Sequence, residues 1–265
     1  MLMKSPKKIR IFLDRPLKES SILDIENADF HYLKNVMRIK IDDQILIFNG
    51  VDGEWIGKIK SINRDLINLE VVHNQKEQLF YEPLRCYFTP LNNNRHNYII
   101  EKLTELGITK FTPVITDYTN TKNLNIQKLY LRAKEAAEQS GLMIVPEITE
   151  PKLLSDLIIE EFNREITLFC DEKKNTALPN NILNGAKERI GAFLIGPEGG
   201  FSDNERLNMI KLGNVRPVSL GSRILRADTA AIVAATIVQI TNNEVKNKSK
   251  NRFFFSYSIH YICGL

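Results

Sequence analysis

AFLIGPEGGFSDNE, from Ala192 to Glu205, decides the fold of this chain. An apolar run ends at Gly196, a glycine-bearing turn follows, and Ser202 stands three residues before Glu205, the capping-box spacing that opens a helix. A strand that feeds a helix through a backbone-rich turn is the repeating unit of an α/β domain, whose ligands sit outside the carboxyl ends of the strands. A second stretch, RPVSLGSRILRADTAA from Arg216 to Ala231, repeats the arrangement, with an apolar run, Gly221 in the turn and a helical pattern after it. The two turns are expected side by side at one edge of a sheet.

The residues of these turns limit what they can hold. Gly199 and Gly200 let a ligand approach the backbone closely. Neither GxxxxGK[ST] nor GxGxxG is present, and Glu198 puts a carboxylate where a nucleotide phosphate would be repelled. A neutral or cationic ligand suits that sign, and S-adenosylmethionine, with a sulfonium and an ammonium but no phosphate, is one. Without a ligand, GPEGG also reads as a plain tight connection. In the second loop Arg223 and Arg226 flank Ile224 and Leu225, so apolar contacts to a planar ring and cationic contacts to an anionic substrate can come from one short stretch. Asp228 or Thr229 reads as the cap of the last helix, and a salt bridge from Arg226 to Asp228 would account for the pair without chemistry. That helix, TAAIVAATIVQI from Thr229 to about Ile240, is rich in small residues and should pack closely against the sheet or a second subunit.

Upstream the same alternation continues. RCYFTP is a strand, Asn94 to Leu106 a helix with Ile99, Leu103 and Leu106 on its apolar face and Gly107 as a left-handed stop, and FTPVIT a strand. Ile126 to Ser140 is a helix ended by Gly141, and ITLFCD is a strand. This predicts a mainly parallel sheet covered on both faces. Before Pro83 the pattern differs: IRIFLD, QILIFNG, EWIGKIKSI and LINLEVV are short, Asn49-Gly50 and Asp52-Gly53 mark a tight hairpin, and His31, Tyr32, Leu33, Val36 and Met37 sit at helical spacing. Residues 1–75 read as a small antiparallel barrel with one helix, 76–83 as a linker, 84–241 as the α/β domain and 242–265 as a tail. The tail joins a basic VKNKSKNR to an aromatic run too short to cross a bilayer as a helix; a docked strand, a partner contact and an appendage all fit it.

Composition sets the class. With 43% hydrophobic and 26% charged residues in 265, the chain can bury a sizeable core. The net charge of +4 is compatible with a polyanionic partner, and Lys4, Lys7, Lys8 and Arg10 form a basic arm that is either solvated or in contact with phosphates. Cys86, Cys170 and Cys263 lie outside any ligand spacing, and His31, His73, His96 and His260 form no HxxxH or HExxH, which disfavours disulfide scaffolds and metal sites. No nucleophile elbow appears. Lacking a signal-peptide core, the chain is expected in the cytoplasm.

Four separated motifs, LIGPEGGFSDNE, VSLGSRILRADTA, EKLTELGI (Glu101 to Ile108) and EAAEQSG (Glu135 to Gly141), resemble those of the ribosomal RNA small subunit methyltransferase E family. That family belongs to the SPOUT superfamily and methylates N3 of a uridine in 16S ribosomal RNA. The resemblance spans nearly all of residues 9–240. It implies an α/β fold, a SPOUT-type methyltransferase domain with a trefoil knot, preceded by a PUA-like RNA-binding β-barrel, a homodimer, and S-adenosyl-L-methionine as donor with no metal.

By matching motif positions, the resemblance places the donor against Phe169 and Cys170, against Gly196, Pro197, Glu198, Gly199 and Gly200, and against Leu220, Gly221, Ile224 and Leu225. Arg226, Asp228 and Thr229 match the catalytic end of the family signature. Lys7, Lys8, Arg10, Arg38, Arg95, Lys102 and Arg223 are candidate contacts to 16S rRNA, within the small ribosomal subunit. Uracil N3 is a poor nucleophile until its proton leaves, so Arg226 is expected to stabilise the uridine anion while Asp228 or a water takes the proton. Asp228 stands where family members often have Glu, Leu142 where a basic residue is common, and the tail has no counterpart. Phe201, Tyr118 and Tyr98 could stack on uracil, or belong to the core. A non-catalytic RNA-binding protein, and a methyltransferase acting on transfer RNA or a ribose hydroxyl, are the alternatives.

Overall fold

The computed structural model describes residues 7, 9–91, 95–120, 124–162, 164–171 and 188–262, without the side chains of residues 244 and 246–262. The chain forms two compact units, Met1–Glu82 with Ala133–Val145, and Pro83–Arg132 with Pro146–Leu265.

In the first unit, β1 (Arg10–Phe12), β2 (Ile22–Ile25), β3 (Gln44–Phe48), β4 (Glu54–Ile62) and β5 (Ile67–Lys76) form one sheet in the order β1-β3-β4-β5-β2. The β3–β4 hairpin falls at the Asn-Gly and Asp-Gly pairs. Two features depart from the expected antiparallel barrel. β1 lies parallel to β3, because the chain returns to it through a long connection rather than a hairpin. That connection contains β2, a four-residue strand in SSILDI, then α1 (Asn27–His31), which passes into a π-helical turn over Tyr32–Val36. Inward positions of this unit, Ile11, Ile25, Leu33, Ile45, Ile47, Ile67 and Leu69, make its core.

The second unit holds β6 (Arg85–Phe88), α2 (Arg95–Glu105), β7 (Lys110–Ile115), α3 (Ile126–Ser140), whose later part belongs to the first unit, β8 (Glu147–Ile148), β9 (Lys152–Leu153) and α4 (Leu154–Glu160). It continues with β10 (Ile166–Cys170), β11 (Ile190–Ile195), α5 (Asp203–Ile210), β12 (Val215–Val218) and α6 (Ala227–Ile262). Its strands are parallel in the order β12-β10-β11-β6-β7-β8, with β9 beside β7. β11 is buried at every position, as a strand covered on both faces must be. Gly107 and Gly141 take positive φ at the ends of α2 and α3.

α6 packs on α2 and β11 and buries Ala231, Ala234, Ala235 and Val238, which places its small-residue face against this unit. It does not stop near Ile240. No glycine or proline interrupts the chain there, and Asn242 anchors the helix by accepting a bond from the Ile190 amide (2.8 Å) and donating one to the Ile190 carbonyl (2.9 Å). The segment from Asn242 to Ile262 therefore continues the helix, which excludes a docked strand there. Among the described residues no helix is long and apolar enough to cross a membrane.

Candidate active site

Three parallel strands set the site. Cys170 at the end of β10 pairs in register with Ile195 of β11 on one side and Val218 of β12 on the other. The next residues, Asp171, Gly196 and Ser219, leave the sheet at one level of its carboxyl edge. The two glycine loops are not direct neighbours: β10 lies between them, which separates their strands by two spacings, about 10 Å. The end of β10 thus lies as a floor between two walls formed by the loops.

The first wall is held from behind. Gly200, at φ 70°, donates to the Pro197 carbonyl (2.9 Å) and closes the turn. A Cβ on Gly196 would stand 2.5 Å from the Phe201 ring, so only glycine admits that ring. Phe201 is buried and meets Phe169 edge-on, 4.8 Å between centroids. The capping box forms as its spacing predicts: Ser202 Oγ accepts from the Glu205 amide (3.2 Å) and Glu205 Oε2 from the Ser202 amide (2.8 Å). Three further residues that sequence reasoning missed complete the support. The Asp117 amide, just after β7, donates to Glu205 Oε1 (2.9 Å), and the Ser202 hydroxyl donates to Asp117 Oδ2 (2.6 Å). Arg206 Nε lies 3.0 Å from Asp171 Oδ2, and its guanidinium also donates to the Phe201 carbonyl. The pairs made by Asp117 and Asp171 join residues 35 to 88 apart, so no local spacing announces them.

The second wall is more open. Ser219 Oγ donates to the Gly221 carbonyl (3.1 Å), and Gly221 sits at φ 137°. Leu220 and Leu225 are half-buried, while Arg223 and Ile224 are exposed. The Arg226 side chain is 63% exposed and its Nη2 lies 3.6 Å from Asp228 Oδ2. α6 begins at Ala227, so Arg226 holds the capping position, with its carbonyl accepting from the Ala230 amide (2.8 Å). The expected cap at Asp228 or Thr229 is corrected accordingly: Asp228 lies within the first turn, where the helix dipole favours an acid, and its Oδ1 accepts from the Thr229 amide (2.9 Å). Burial pushes the Cys170 thiol up to about 12, so it remains a neutral part of the floor.

Arg95 Nη1 approaches Glu198 Oε1 at 3.9 Å, which brings the start of α2 to the first wall. Lys102 lies between Glu101 and Glu105 at 2.8 and 2.7 Å and stands 5.8 Å from the Tyr98 ring centroid. In the first unit Arg38 is exposed at φ 49°, and Lys7 Nζ lies 2.5 Å from Asp43. Lys8 lies outside the described residues. Arg10 is corrected as a phosphate contact. Its Nε pairs with Glu54 (2.5 Å), Nη1 and Nη2 donate to the carbonyls of Ala137 (2.7 Å) and Leu142 (3.0 Å), and its guanidinium covers the Phe48 ring at 3.7 Å. With its side chain 8% exposed and its guanidinium held among these partners, Arg10 is not open to a phosphate. Among the described residues no group of three or more His, Cys, Asp or Glu side chains is arranged to hold a metal ion.

The chain resembles known proteins along most of its length. An RNA methyltransferase domain model matches residues 81–239, and an RNA methyltransferase PUA domain model matches residues 25–72. The ribosomal RNA small subunit methyltransferase E of Rickettsia conorii is 30% identical over 235 residues, 87% of this chain and 95% of that protein. Its namesake from Synechocystis is 31% identical over 215 residues, 79% of this chain and 70% of that one. The solved structure of ribosomal RNA small subunit methyltransferase E from Neisseria gonorrhoeae bound to S-adenosyl methionine shares the fold, with a TM-score of 0.76, 22% identity, and 87% and 96% of the two chains covered. A five-stranded sheet with a PUA match, a parallel sheet whose three-strand edge carries both glycine loops, and a relative 30% identical over 87% of this chain and 95% of its own length agree: the chain belongs to the ribosomal RNA small subunit methyltransferase E family.

Proposed function

We propose that this protein transfers a methyl group from S-adenosyl-L-methionine to N3 of a uridine in 16S ribosomal RNA of the small subunit. The observation that carries this reading is the edge formed by β12, β10 and β11, with a glycine loop on either side of the β10 end. The chemistry of that edge fits the donor. Glycine leaves backbone amides and carbonyls approachable, Leu220 and Leu225 offer apolar contact to a ring, and the exposed Glu198 carboxylate suits a cation and repels phosphate. Phe169, Cys170, residues 196–200 and residues 220–225 would hold the donor, which when bound supplies an electrophilic methyl group.

The rest of the work falls to this chain's side chains. Aligning two reactants can supply on the order of 7 to 11 kcal/mol, and the network from Asp117 through Ser202 to Asp171 fixes one wall of the cleft for that purpose. Arg226, exposed beside the second loop, would meet the negative charge that grows on uracil as N3 loses its proton. Asp228 at 3.6 Å, or a water beside it, accepts that proton, and Thr229 follows it in the same turn. Arg38, Arg95, Lys102 and Arg223 supply cations for RNA phosphates. The reading includes a knotted path through the two loops, supported by the return of β11 to a place between β6 and β10, a homodimer, and a cytoplasmic location set by the substrate.

The test uses the purified protein, donor carrying a labelled methyl group, and small-subunit particles from cells without this activity. Labelled 3-methyluridine in the digested 16S RNA is the expected product. Label found only in ribose-methylated nucleosides, or in added transfer RNA and not in the particles, or RNA binding without transfer, would overturn the reading.

A further inference from the structure

The sequence left three aromatic residues as stacking candidates, and the structure separates them. Phe201 is buried at 2% exposure beneath the first loop and cannot meet a base. Tyr98 and Tyr118 are 47% and 50% exposed. Tyr118 follows Asp117 directly, and it lies against the donor loop itself: a Cβ on Gly199 would be 3.3 Å from Tyr118 Cβ and 3.8 Å from its Cγ. The segment that carries it is fixed at both ends. Asp117 is bonded to Ser202 and Glu205, and on the other side the Thr116 amide donates to Thr119 Oγ1 (2.8 Å) while the Thr119 amide donates to the Thr116 carbonyl (3.1 Å). A half-exposed ring on so constrained a backbone is held beside the donor loop.

Its flank matters as much as its exposure. In the order β12-β10-β11-β6-β7 the floor and both glycine loops occupy β12, β10 and β11, whereas Tyr118 leaves β7, on the other side of the first loop. The same flank carries α2, where Arg95, Tyr98 and Lys102 stand at i, i+3 and i+7 on one face. Aromatic faces interleaved with cations are the device by which proteins hold unpaired nucleotides, bases on the rings and phosphates on the cations.

We propose that Tyr118 stacks on an unpaired base next to the target uridine, with Arg95 and Lys102 of α2 holding the flanking phosphates. Tyr118 is thus an acceptor-binding residue rather than part of the donor pocket. The inference rests on the methyltransferase reading above and adds a residue to it. Stacking of a base on an aromatic ring is sequence-tolerant and is lost on truncation to alanine, which corresponds to about 5- to 150-fold in affinity.

The test compares wild type with Tyr118→Phe, Tyr118→Leu and Tyr118→Ala in methyl transfer to small-subunit particles, with S-adenosylmethionine affinity measured separately by calorimetry. Tyr118→Ala and Tyr118→Leu should raise KM for the particle within that range, Tyr118→Phe should stay near wild type, and donor affinity should be unchanged in all. An unchanged KM in Tyr118→Ala, full rescue by Leu, or a matching loss of donor affinity would each overturn the assignment while leaving the function intact. A wild-type protein that transfers no methyl group would instead overturn the reading on which the assignment rests.

Discussion

Arg10 in the first unit and Arg226 in the second are both arginines beside a carboxylate, and they do opposite things. Arg10 spends its guanidinium inside the protein, on Glu54, on two carbonyls of the Ala133–Val145 segment and on the Phe48 ring. Arg226 keeps a mostly exposed guanidinium whose contact among the described residues is a loose one to Asp228. An ionic group buried among internal partners holds the fold, and one that stays turned to solvent is available to a substrate. Charge type does not tell them apart; the number of partners within reach does.

The largest effect that would break this contrast is on stability. Arg10→Ala leaves Glu54 in a buried position with Lys76 as its remaining ion-pair partner at 3.2 Å, and removing one member of a buried pair costs about 3–5 kcal/mol. Urea unfolding followed by circular dichroism should show a loss of that size. A loss below about 1 kcal/mol would mean that Lys76 compensates and that Arg10 is not the fastener described. Methyl transfer measured on the fraction that remains folded should be close to normal.

Arg226→Ala should behave in the opposite way. An exposed arginine with one loose partner changes unfolding free energy by about 0.5 kcal/mol or less, whereas loss of one group that stabilises developing negative charge costs about 100- to 1,000-fold in kcat. Single-turnover transfer with saturating donor gives the rate, and calorimetry shows whether the donor still binds. A rate within about threefold of wild type would remove Arg226 from the chemistry, since the smallest loss expected of such a group is far larger.

A smaller effect sharpens the picture of the first unit. Glu138 of α3 accepts from the Phe12 amide at 2.9 Å and lies 3.9 Å from Lys134, which also pairs with Asp29 at 2.8 Å. Burial raises its carboxyl to about 7, with Phe12, Lys134 and Arg10 opposing and Asp29 adding to the rise. A folded-state value above the unfolded one stabilises the protein most at pH below the unfolded value, and that contribution disappears as pH rises through the folded value. Wild type should therefore lose stability between about pH 4.3 and 7 on this account. Glu138→Gln keeps an acceptor for Phe12, so its melting temperature should vary less across that window and exceed wild type at pH 8. A Gln variant less stable than wild type at pH 8 would show that pairing with Lys134 outweighs the burial of charge.

Much of the second unit was legible because its signals are local. The capping box at Ser202 and Glu205, the glycine stops at Gly107 and Gly141, and the strand ends before Gly196 and Ser219 are each decided within a few residues. What escaped was short or distant. β2, β8, β9 and α4 have two to seven residues, too few for a period to show. The basic arm read as a candidate phosphate contact because its partners are 44 to 132 residues from Arg10. The end of α6 was placed too early because a change in composition after Ile240 looked like a boundary, although nothing in the backbone breaks there.

By itself the sequence determined that this protein is an α/β domain behind a small barrel, with two glycine loops at strand ends and a ligand without phosphate as the better fit between them. Those conclusions depend on backbone conformation and hydrophobic period, which neighbouring residues set. Only the tertiary structure decided that β10 separates the two loops, that Phe201 lies beneath the site while Tyr118 lies beside it, and that Arg10 is a fastener and Arg226 is not. Strand order and the satisfaction of buried charge are properties of residues brought together from far along the chain, and no local pattern carries them.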